Sequence, residues 1–401
     1  MKIPDKQRSF RTSGTNLLKA KSHNHSVVLE VIRTRGPISR VEISRVTSLS
    51  RQTIQNIVAQ LDEHDLVRMK AGKITGRGHP GMEVSLNSDA ALSLGIHVDR
   101  TRVTAVVCNL DGQMVWDATR QLASATLEAA NTAIADTVAA FRSAHATLCP
   151  KVVGCGIAAA GPFDASAVGK DEPTSFHELG TEQNLQELEA ALGLPIVLEN
   201  DATAAAMGES FYGAGRGHSN FAFLQFGVGL GSGFVLNGDL YTGTRGNAGE
   251  LGHVVVELNG EPCPCGNAGC LERYLSIDAL CRHLGLVPDD SATFARLAEL
   301  VDQGDADLMR WVEGAVPRLH QAVNILETML DPEVIIVGGT APENFLDLLL
   351  QKSSPCPASL SGRSDPERIR RGTAGRLSIA LGASAVSMNA HFAPSVSQLV
   401  L

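Results

Sequence analysis

Residues Gly246 to Glu272 read GNAGELGHVVVELNGEPCPCGNAGCLE, a stretch that brings cysteine, histidine and glutamate together in a short segment. Cys263, Cys265 and Cys270 fall within eight residues as C-x-C-G-x-x-G-C, and His253 lies ten residues before the first of them. Three thiolates and one imidazole are the ligand set of a closed zinc site, and glycines let so short a loop turn back on itself. The pattern therefore predicts zinc held by His253, Cys263, Cys265 and Cys270. A redox or disulfide cluster is the alternative.

A zinc ion with four protein ligands has no open position for an activated water, so the predicted metal is structural rather than catalytic. Glu250 lies just before His253, and Glu272 ends the segment. The metal would therefore hold two carboxylates in place, and paired acceptors of this kind suit the recognition of vicinal hydroxyl groups. We predict that Glu250, His253 and Glu272 bind a ligand.

The combination of G-E-L-G-H with C-x-C-G-x-x-G-C-x-E resembles the signature of the ROK family of sugar kinases and sugar-responsive repressors. The resemblance extends over nearly the whole chain. It implies an α/β fold with an N-terminal winged helix-turn-helix, followed by a two-lobed body of the actin and sugar-kinase type, which is ribonuclease H-like. In that architecture the ligand lies in the cleft between the lobes.

The composition is that of an ordinary globular protein. With 401 residues, of which 44% are hydrophobic and 19% charged, the chain can form two or three domains with substantial cores. It has no run of about 18 apolar residues and no apolar signal-peptide core, so we expect a cytoplasmic protein that makes no membrane contact. The other five cysteines are scattered, which favours reduced thiols over disulfides.

Basic residues are concentrated near the N-terminus. Residues 1–80 contain 15 Lys and Arg against 6 Asp and Glu, whereas the remaining 321 residues contain 19 against 37. A basic head on an acidic body indicates that only the head meets a polyanion such as double-stranded DNA. Residues 1–22 are polar and basic without periodicity, which predicts a flexible extension.

Residues 23–86 carry the pattern of a winged helix-turn-helix domain. Apolar residues recur at helical spacing until Pro37 stops the run. Ser39 and Glu42 form a capping box that begins a second helix, and Ser50 begins a third helix after a tight turn. The segment resembles the DNA-binding head of ROK repressors.

The third helix is predicted to present a polar face to DNA. Its buried side carries apolar residues at helical spacing, and its opposite side carries Arg51, Gln52, Gln55 and Asn56. Such side chains form bidentate hydrogen bonds with purine edges, and they lie at the N-terminal end, where recognition helices touch bases. We predict these four residues as DNA contacts. A solvated helix face on a protein-interaction domain is the alternative.

Two predicted strands, Leu66–Lys70 and Met82–Leu86, bracket a glycine-rich turn and would form the wing. An arginine between glycines can enter a narrow groove without a side-chain clash. Arg77, together with Gly78 and His79, is therefore predicted to contact the minor groove of A·T-rich DNA. Taken alone, a glycine-rich hairpin tip is usually only a turn.

Strands mixed with helices indicate that the body is an α/β fold. We expect Leu94–Val107 to be one core strand, because it alternates and runs apolar. The ROK resemblance implies a small lobe over residues 92–200, joined by a C-terminal helix at about 376–392. It also implies a large lobe over residues 201–375 that carries the zinc site.

Asn200 and Asp201 follow a predicted strand, and open α/β sheets place ligands at strand ends. Both side chains can exchange hydrogen bonds with sugar hydroxyls, although Asp201 could instead only cap the next helix. In kinases of the family the matching Asp is the general base. Gly161 also belongs to the predicted site. The complete predicted ligand set is Gly161, Asn200, Asp201, Glu250, His253 and Glu272.

The first phosphate loop decides between a kinase and a regulator. ROK kinases have an acidic residue, paired glycines and a threonine there, whereas this chain has His97-Val98-Asp99-Arg100-Thr101. Side chains at both glycine positions obstruct a phosphate, and Asp99 would repel it. Phosphoryl transfer would lose most of its positioning and charge neutralisation. We therefore predict no catalytic residue, with Asp201 as the base only if the protein is a kinase.

The leading hypothesis is a sequence-specific transcriptional regulator, most readily a repressor of carbohydrate transport or metabolism genes. A sugar or sugar derivative in the zinc-stapled cleft would control its affinity for operator DNA, and the protein would form a homodimer or a dimer of dimers. The first alternative is an ATP-dependent sugar kinase with an accessory DNA-binding head. The second is a dimerisation scaffold that responds to a protein partner.

Overall fold

Two units make up the part of the chain that the structure covers. The computed structural model describes residues 17–71, 82–161, 163, 176–288, 291–360 and 366–392. Described residues up to Ala90, with those from Asn389 on, form the first unit, and Ala91–Met388 forms the second. Within the described ranges, no helix is both long enough and apolar enough to cross a membrane.

The first unit is a three-helix domain with a small antiparallel sheet. Its elements are α1 (Leu17–Arg35), β1 (Ile38–Ser39), α2 (Arg40–Thr47), α3 (Arg51–Glu63), β2 (Val67–Ala71) and β3 (Met82–Leu86). The strand order is β1-β3-β2, and Val67 pairs with Leu86 at one end of the hairpin while Ala71 pairs with Met82 at the other. This arrangement is that of a winged helix-turn-helix.

Side-chain caps define the helix-turn-helix, and both predicted serine caps are confirmed, although the Glu42 carboxylate of the predicted capping box pairs with Arg45. The Ser39 hydroxyl accepts the Glu42 N–H at 3.2 Å, and the Ser50 hydroxyl accepts the Thr53 N–H at 3.1 Å. Ser48, in the turn between α2 and α3, has φ 58°, a left-handed conformation that ends α2. The buried face of α3 holds the predicted apolar residues Ile54, Ile57, Val58 and Leu61.

The start of α1 differs from the prediction. The helix begins at Leu17, so residues 17–22 are helical, although the sequence predicted a flexible extension up to residue 22. Leucine, lysine and alanine are strong helix formers, and a helix that is packed further along extends through them at little cost. Residues 1–16 of that predicted extension lie outside the described ranges.

The second unit contains two five-stranded sheets and eight helices among its described residues. In chain order the strands are β4 (Leu92–Val98), β5 (Arg102–Asn109), β6 (Met114–Gln121), β7 (Val152–Ala159), β8 (Ile196–Asn200), β9 (Phe221–Phe226), β10 (Leu230–Leu236), β11 (Asp239–Leu240), β12 (Val334–Gly339) and β13 (Ile369–Arg371). The helices are α4 (Leu127–Ala144), α5 (Glu182–Leu192), α6 (Asp201–Tyr212), α7 (Ile277–Leu284), α8 (Ser291–Gln303), α9 (Ala306–Leu330), α10 (Glu343–Ser353) and α11 (Ser378–Phe392).

Both sheets follow the same strand plan. The first has the order β6-β5-β4-β7-β8 and the second β11-β10-β9-β12-β13. In each, three consecutive strands form an antiparallel meander, and two later strands add in parallel beside the first strand of that meander. This duplicated pattern is the ribonuclease H-like body of actin and sugar kinases, so the predicted fold class is confirmed.

One strand prediction was wrong. Leu94–Val107 is not a single core strand but parts of β4 and β5, which turn at Asp99-Arg100-Thr101 and pair Val98 with Val103. The turn contains neither glycine nor proline, and both strands are buried, so the apolar pattern runs through it without a visible stop. This turn matters because it faces the cavity described below.

Small residues let α11 pack closely on the first sheet and on α6. A Cβ atom at Gly95 would lie 2.0 Å from the Ala380 carbonyl oxygen, and one at Gly382 would lie 1.6 Å from that of Ala204. The hydroxyls of Ser93 and Ser384 also share a hydrogen bond of 2.6 Å. The predicted ranges 92–200 and 201–375 contain one sheet each, and the lobe boundary itself stays a prediction.

Candidate ligand cavity and metal centre

A cavity of about 310 Å³ lies between the two sheets of the second unit. Its wall is formed where β4, β7, β8, β9 and β12 end, the position at which α/β sheets bind ligands. All six residues predicted to bind ligand line this cavity: Gly161, Asn200, Asp201, Glu250, His253 and Glu272. The fold brings them together, and their contact with a ligand stays a prediction.

Asp201 is the first residue of α6 and has both carboxylate oxygens engaged. Its Oδ1 accepts the Ala202 N–H at 2.7 Å, and its Oδ2 accepts Nε2 of Gln225 at 2.9 Å. The helix cap is Asn200, whose Oδ1 accepts the N–H groups of Ala202 and Thr203, so Asp201 is not simply the cap. Its side chain is held toward the cavity instead.

Burial changes the protonation of the groups around Asp201. Burial raises the pKa of Asp201, and the nearby His97 and the hydrogen bond from Ala202 oppose that change. The pKa of His97 is lowered by burial, against the attraction of Asp99 and Asp201. Burial also raises the pKa of Glu199, which accepts the Asn200 N–H at 2.9 Å, to about 7. Asp201 and Glu199 therefore hold protons more tightly than they do in water.

In the turn between β4 and β5, a side chain of the turn itself accepts a backbone N–H. The Arg100 N–H donates to Asp99 Oδ1 at 2.6 Å, and Arg102 Nε lies 3.7 Å from Asp99 Oδ2. All three residues line the cavity. A phosphate-binding turn needs its N–H groups directed at the ligand. In this chain a carboxylate accepts from the Arg100 N–H.

The turn between β9 and β10 also binds a carboxylate of the chain. Glu272 Oε2 accepts the Leu230 N–H at 2.8 Å. A Cβ atom at Gly229 would lie 2.4 Å from that same oxygen, so the absence of a side chain at Gly229 makes this approach possible. On the neighbouring segment, His253 Nε2 lies 3.9 Å from Glu250 Oε2.

The four predicted metal ligands converge on one point. The ligand atoms of His253, Cys263, Cys265 and Cys270 all lie within 4.8 Å of one another. Cys263 Sγ is 3.6 Å from His253 Nδ1, and Cys265 Sγ is 3.6 Å from Cys270 Sγ. Tetrahedral zinc with bonds of about 2.3 Å places its sulfur ligands roughly 3.8 Å apart, whereas a disulfide requires about 2 Å. The cysteines are free thiols, so the geometry fits a metal centre and not a disulfide.

The metal loop is connected to the cavity wall through its backbone. Gly266 and Gly269 have φ 93° and 80°, values that a side chain would disfavour, which explains the two glycines of the motif. The Leu271 N–H donates to the Val254 carbonyl at 2.9 Å, which ties the chain after Cys270 to the chain after His253. A metal at this site therefore constrains the segments that carry Glu250 and Glu272.

Sequence reasoning missed Gln225 as a cavity residue. It lies in β9, lines the cavity, and is 5% exposed. A signal was present, because a single amide interrupts the otherwise apolar run FAFLQF, and a buried polar side chain requires a partner or a task.

The predicted DNA-contacting residues of α3 share one exposed face. Arg51, Gln52, Gln55 and Asn56 are all exposed, and Gln52 Nε2 donates to Asn56 Oδ1 at 3.1 Å. The three predicted wing contacts, Arg77, Gly78 and His79, lie outside the described residues. All seven residues stay predictions as DNA contacts.

Comparison with known proteins agrees with this architecture. The sequence model of the ROK family matches residues 93–366. The xylose repressor of Bacillus subtilis is 31% identical over 266 residues, which cover 66% of this chain and 68% of that protein.

Two solved structures show the same fold. A ROK family transcriptional regulator, a homologue of the Escherichia coli MLC protein, superposes with a TM-score of 0.72 at 23% identity, over 92% of this chain and 97% of that one. A ROK family glucokinase from Streptomyces griseus in complex with glucose and AMPPNP superposes with a TM-score of 0.59 at 26% identity, over 75% and 100%. The regulator match spans the N-terminal unit as well as the body.

Proposed function

The chain belongs to the ROK family, and we propose that it is a sugar-responsive, sequence-specific transcriptional repressor of carbohydrate transport or metabolism genes. The observation that carries the proposal is the presence in one chain of a winged helix-turn-helix and a cavity walled by hydrogen-bonding side chains. The similarity to a protein named xylose repressor supports it. A sugar kinase requires the cavity but does not require a winged helix-turn-helix.

The cavity suits a polyhydroxyl ligand. Asp201, Glu250 and Glu272 offer carboxylate oxygens, and Asn200 adds an amide, so the wall is rich in acceptors for hydroxyl hydrogens. Acceptors of this kind discriminate between sugars by the positions of their hydroxyl groups. We propose that a sugar or sugar derivative bound here alters the affinity for operator DNA.

We further propose that the metal is zinc and that its role is structural. Four protein donors leave no coordination position for substrate, and three thiolates favour zinc over magnesium or calcium. Zinc would hold the segments of Glu250 and Glu272 against each other.

A homodimer would read a palindromic operator through its paired recognition helices. Two half-sites are presented to a dimer about one helical turn, roughly 34 Å, apart. Ligand binding can abolish affinity if it changes the separation of the two helices, provided that the ligand binds one arrangement more tightly than the other.

A sugar kinase with a DNA-binding head is the second candidate. Asp201 favours it, because this residue lies in the cavity at the position predicted for a general base, and so does the similarity to a glucokinase. The carboxylate of Asp99 on the Arg100 N–H opposes it, since that donor is not directed at a phosphate. Sugar-dependent ATP turnover that disappears in Asp201→Asn would replace the repressor proposal with this one.

The proposal is tested by fluorescence anisotropy with DNA from the region upstream of the gene that encodes this protein. We expect binding roughly 10³-fold tighter than to random DNA, and a change of at least about tenfold in Kd with one member of a panel of free and phosphorylated aldoses. Arg51→Ala should weaken operator binding by about 10- to 100-fold and leave sugar affinity unchanged. Arg296→Ala, an exposed arginine on α8, is the matched control. Equal affinity for operator and random DNA would contradict the proposal.

A further inference from the structure

Gln225 has one half of its amide engaged and the other half unpaired. Nε2 donates to Asp201 Oδ2 at 2.9 Å. Oε1 is buried, and among the described residues no donor reaches it. The residue is 5% exposed, and it is one of the residues that line the cavity.

Packing does not explain a glutamine at this position. The β9 residues Phe221, Phe223, Leu224 and Phe226 are fully buried and apolar. A leucine or methionine would fill the same space without burying an amide oxygen that lacks a partner, which is a destabilising arrangement. The hydrogen bond to Asp201 explains why a donor is needed at Nε2. It does not explain the buried acceptor Oε1.

The amide and the carboxylate form a pair of neighbouring acceptors. Oε1 and Nε2 belong to one planar group, and Nε2 is bonded to Asp201, so Oε1 lies beside the Asp201 carboxylate. Each oxygen of Asp201 already accepts one hydrogen bond and can accept another. Two donors on adjacent carbon atoms, as in a vicinal diol, match this arrangement.

We propose that Gln225 is a specificity-determining residue of the sugar cavity, whose Oε1 accepts a hydrogen bond from one hydroxyl of a vicinal pair while Asp201 accepts from the other. The inference rests on the proposed sugar-responsive function and adds the residue that reads one hydroxyl position. A site built to bind a hydroxyl rejects the analogue that lacks it, because the buried acceptor is then left without a partner.

The test uses the full-length protein and isothermal titration with D-xylose, D-glucose, N-acetyl-D-glucosamine, their phosphates, and the monodeoxy analogues of whichever sugar binds. In wild type, we expect one deoxy analogue to bind at least about tenfold more weakly than its parent. The hydroxyl that this analogue lacks should be adjacent to the hydroxyl that contacts Asp201. In Gln225→Met, the parent should lose about tenfold and that analogue less than twofold. The penalties for the other deoxy analogues should stay as in wild type.

Gln225→Glu distinguishes a hydrogen bond to the ligand from an effect of Gln225 on Asp201. It keeps Oε1 and puts a carboxyl oxygen in place of the Nε2 that faces Asp201. Two carboxyl groups at this distance share one proton, so the contact with Asp201 is kept and discrimination at the assigned hydroxyl should remain. This variant decides the matter if the Met variant does not fold. Asn184→Ala, which removes a buried amide outside the cavity that bonds to Asn131, controls for loss of stability. It should lower Tm and leave the deoxy pattern unchanged.

Two results would overturn the inference. The first is a Met variant that binds the parent sugar as wild type does, or that still rejects the same analogue tenfold. The second is a Glu variant that loses discrimination, which would mean that Gln225 acts only through Asp201. If no sugar or sugar phosphate of the panel binds wild type, the proposed function fails together with the inference, whereas sugar binding with an unchanged pattern removes the inference alone.

Discussion

The two sheets of the body have the same strand order, yet their first hairpins bind carboxylates in different ways. In the first sheet, the turn from Asp99 to Thr101 has no glycine, and Asp99 caps the next N–H of its own turn. In the second sheet, the turn keeps Gly227 and Gly229, and a carboxylate 42 residues further along, Glu272, binds the Leu230 N–H. The carboxylate at the first turn belongs to the turn itself. The carboxylate at the second turn comes from Glu272, which directly follows the loop with the three predicted cysteine ligands. The second turn should therefore respond to loss of the metal, and the first should not.

Loss of the metal should have the largest effect. Cys265→Ser, or chelation, is expected to destabilise the body by on the order of 4 kcal/mol, roughly 8–16 °C in Tm, because metal binding is coupled to folding of the loop. Differential scanning calorimetry and metal analysis measure both quantities. Cys149→Ser, a half-buried thiol outside the cluster, is the control and should retain metal and Tm. An unchanged Tm in Cys265→Ser would refute the structural role.

A pH effect of intermediate size should mark the first sheet. The pKa of Glu199 is about 7 in the folded protein against an ordinary 4.5, so the folded state binds more protons and its stability falls as pH rises from 4.5 to 7. Glu199→Gln should remove about 2–3 kcal/mol of that decline in the free energy of unfolding. Above pH 7 the variant should therefore be more stable than wild type. Urea denaturation at pH 5 and pH 8 measures the difference. Parallel pH profiles for both proteins would show that Glu199 is not perturbed.

Alanine substitutions at the two capping carboxylates compare the hairpins directly. Glu272→Ala leaves the Leu230 N–H without its acceptor in a partly buried position and should cost about 1–2 kcal/mol. Asp99→Ala should cost less than about 0.5 kcal/mol, because the Asp99 side chain is 30% exposed and water can replace it. Chemical denaturation of the two variants side by side decides this. Equal costs would remove the distinction between a local and a remote cap.

Restoring glycines in the first hairpin should have the smallest effect. Asp99→Gly combined with Arg100→Gly removes the carboxylate and opens the backbone to a phosphate, so weak AMPPNP binding should appear that wild type lacks. Sugar-dependent ATP turnover should remain undetectable, since one turn does not rebuild the complete phosphate site. Titration calorimetry and a coupled assay measure these two outcomes. ATP turnover by wild type itself would contradict the difference drawn between the hairpins.

Local patterns made several features predictable. The caps at Ser39 and Ser50, the polar face of α3 and the cluster of four predicted metal ligands are each encoded within fewer than 20 neighbouring residues, where spacing alone limits what can form. The β4 to β5 turn, the cap at Asn200 and the helical start at Leu17 were not predicted, because apolar burial or neighbouring polar residues concealed the boundary.

By itself the sequence determined the His-Cys cluster that could hold a metal, the helix-turn-helix and the family, since each is a matter of residue types at short spacing. Only the tertiary structure decided which polar groups share the cavity. Gln225 and Asp201 are 24 residues apart, and Glu272 and Leu230 are 42 apart. Partners at such separations are chosen by how two sheets and their helices pack, and a burial cost such as that of Gln225 Oε1 exists only after the surrounding water has been excluded.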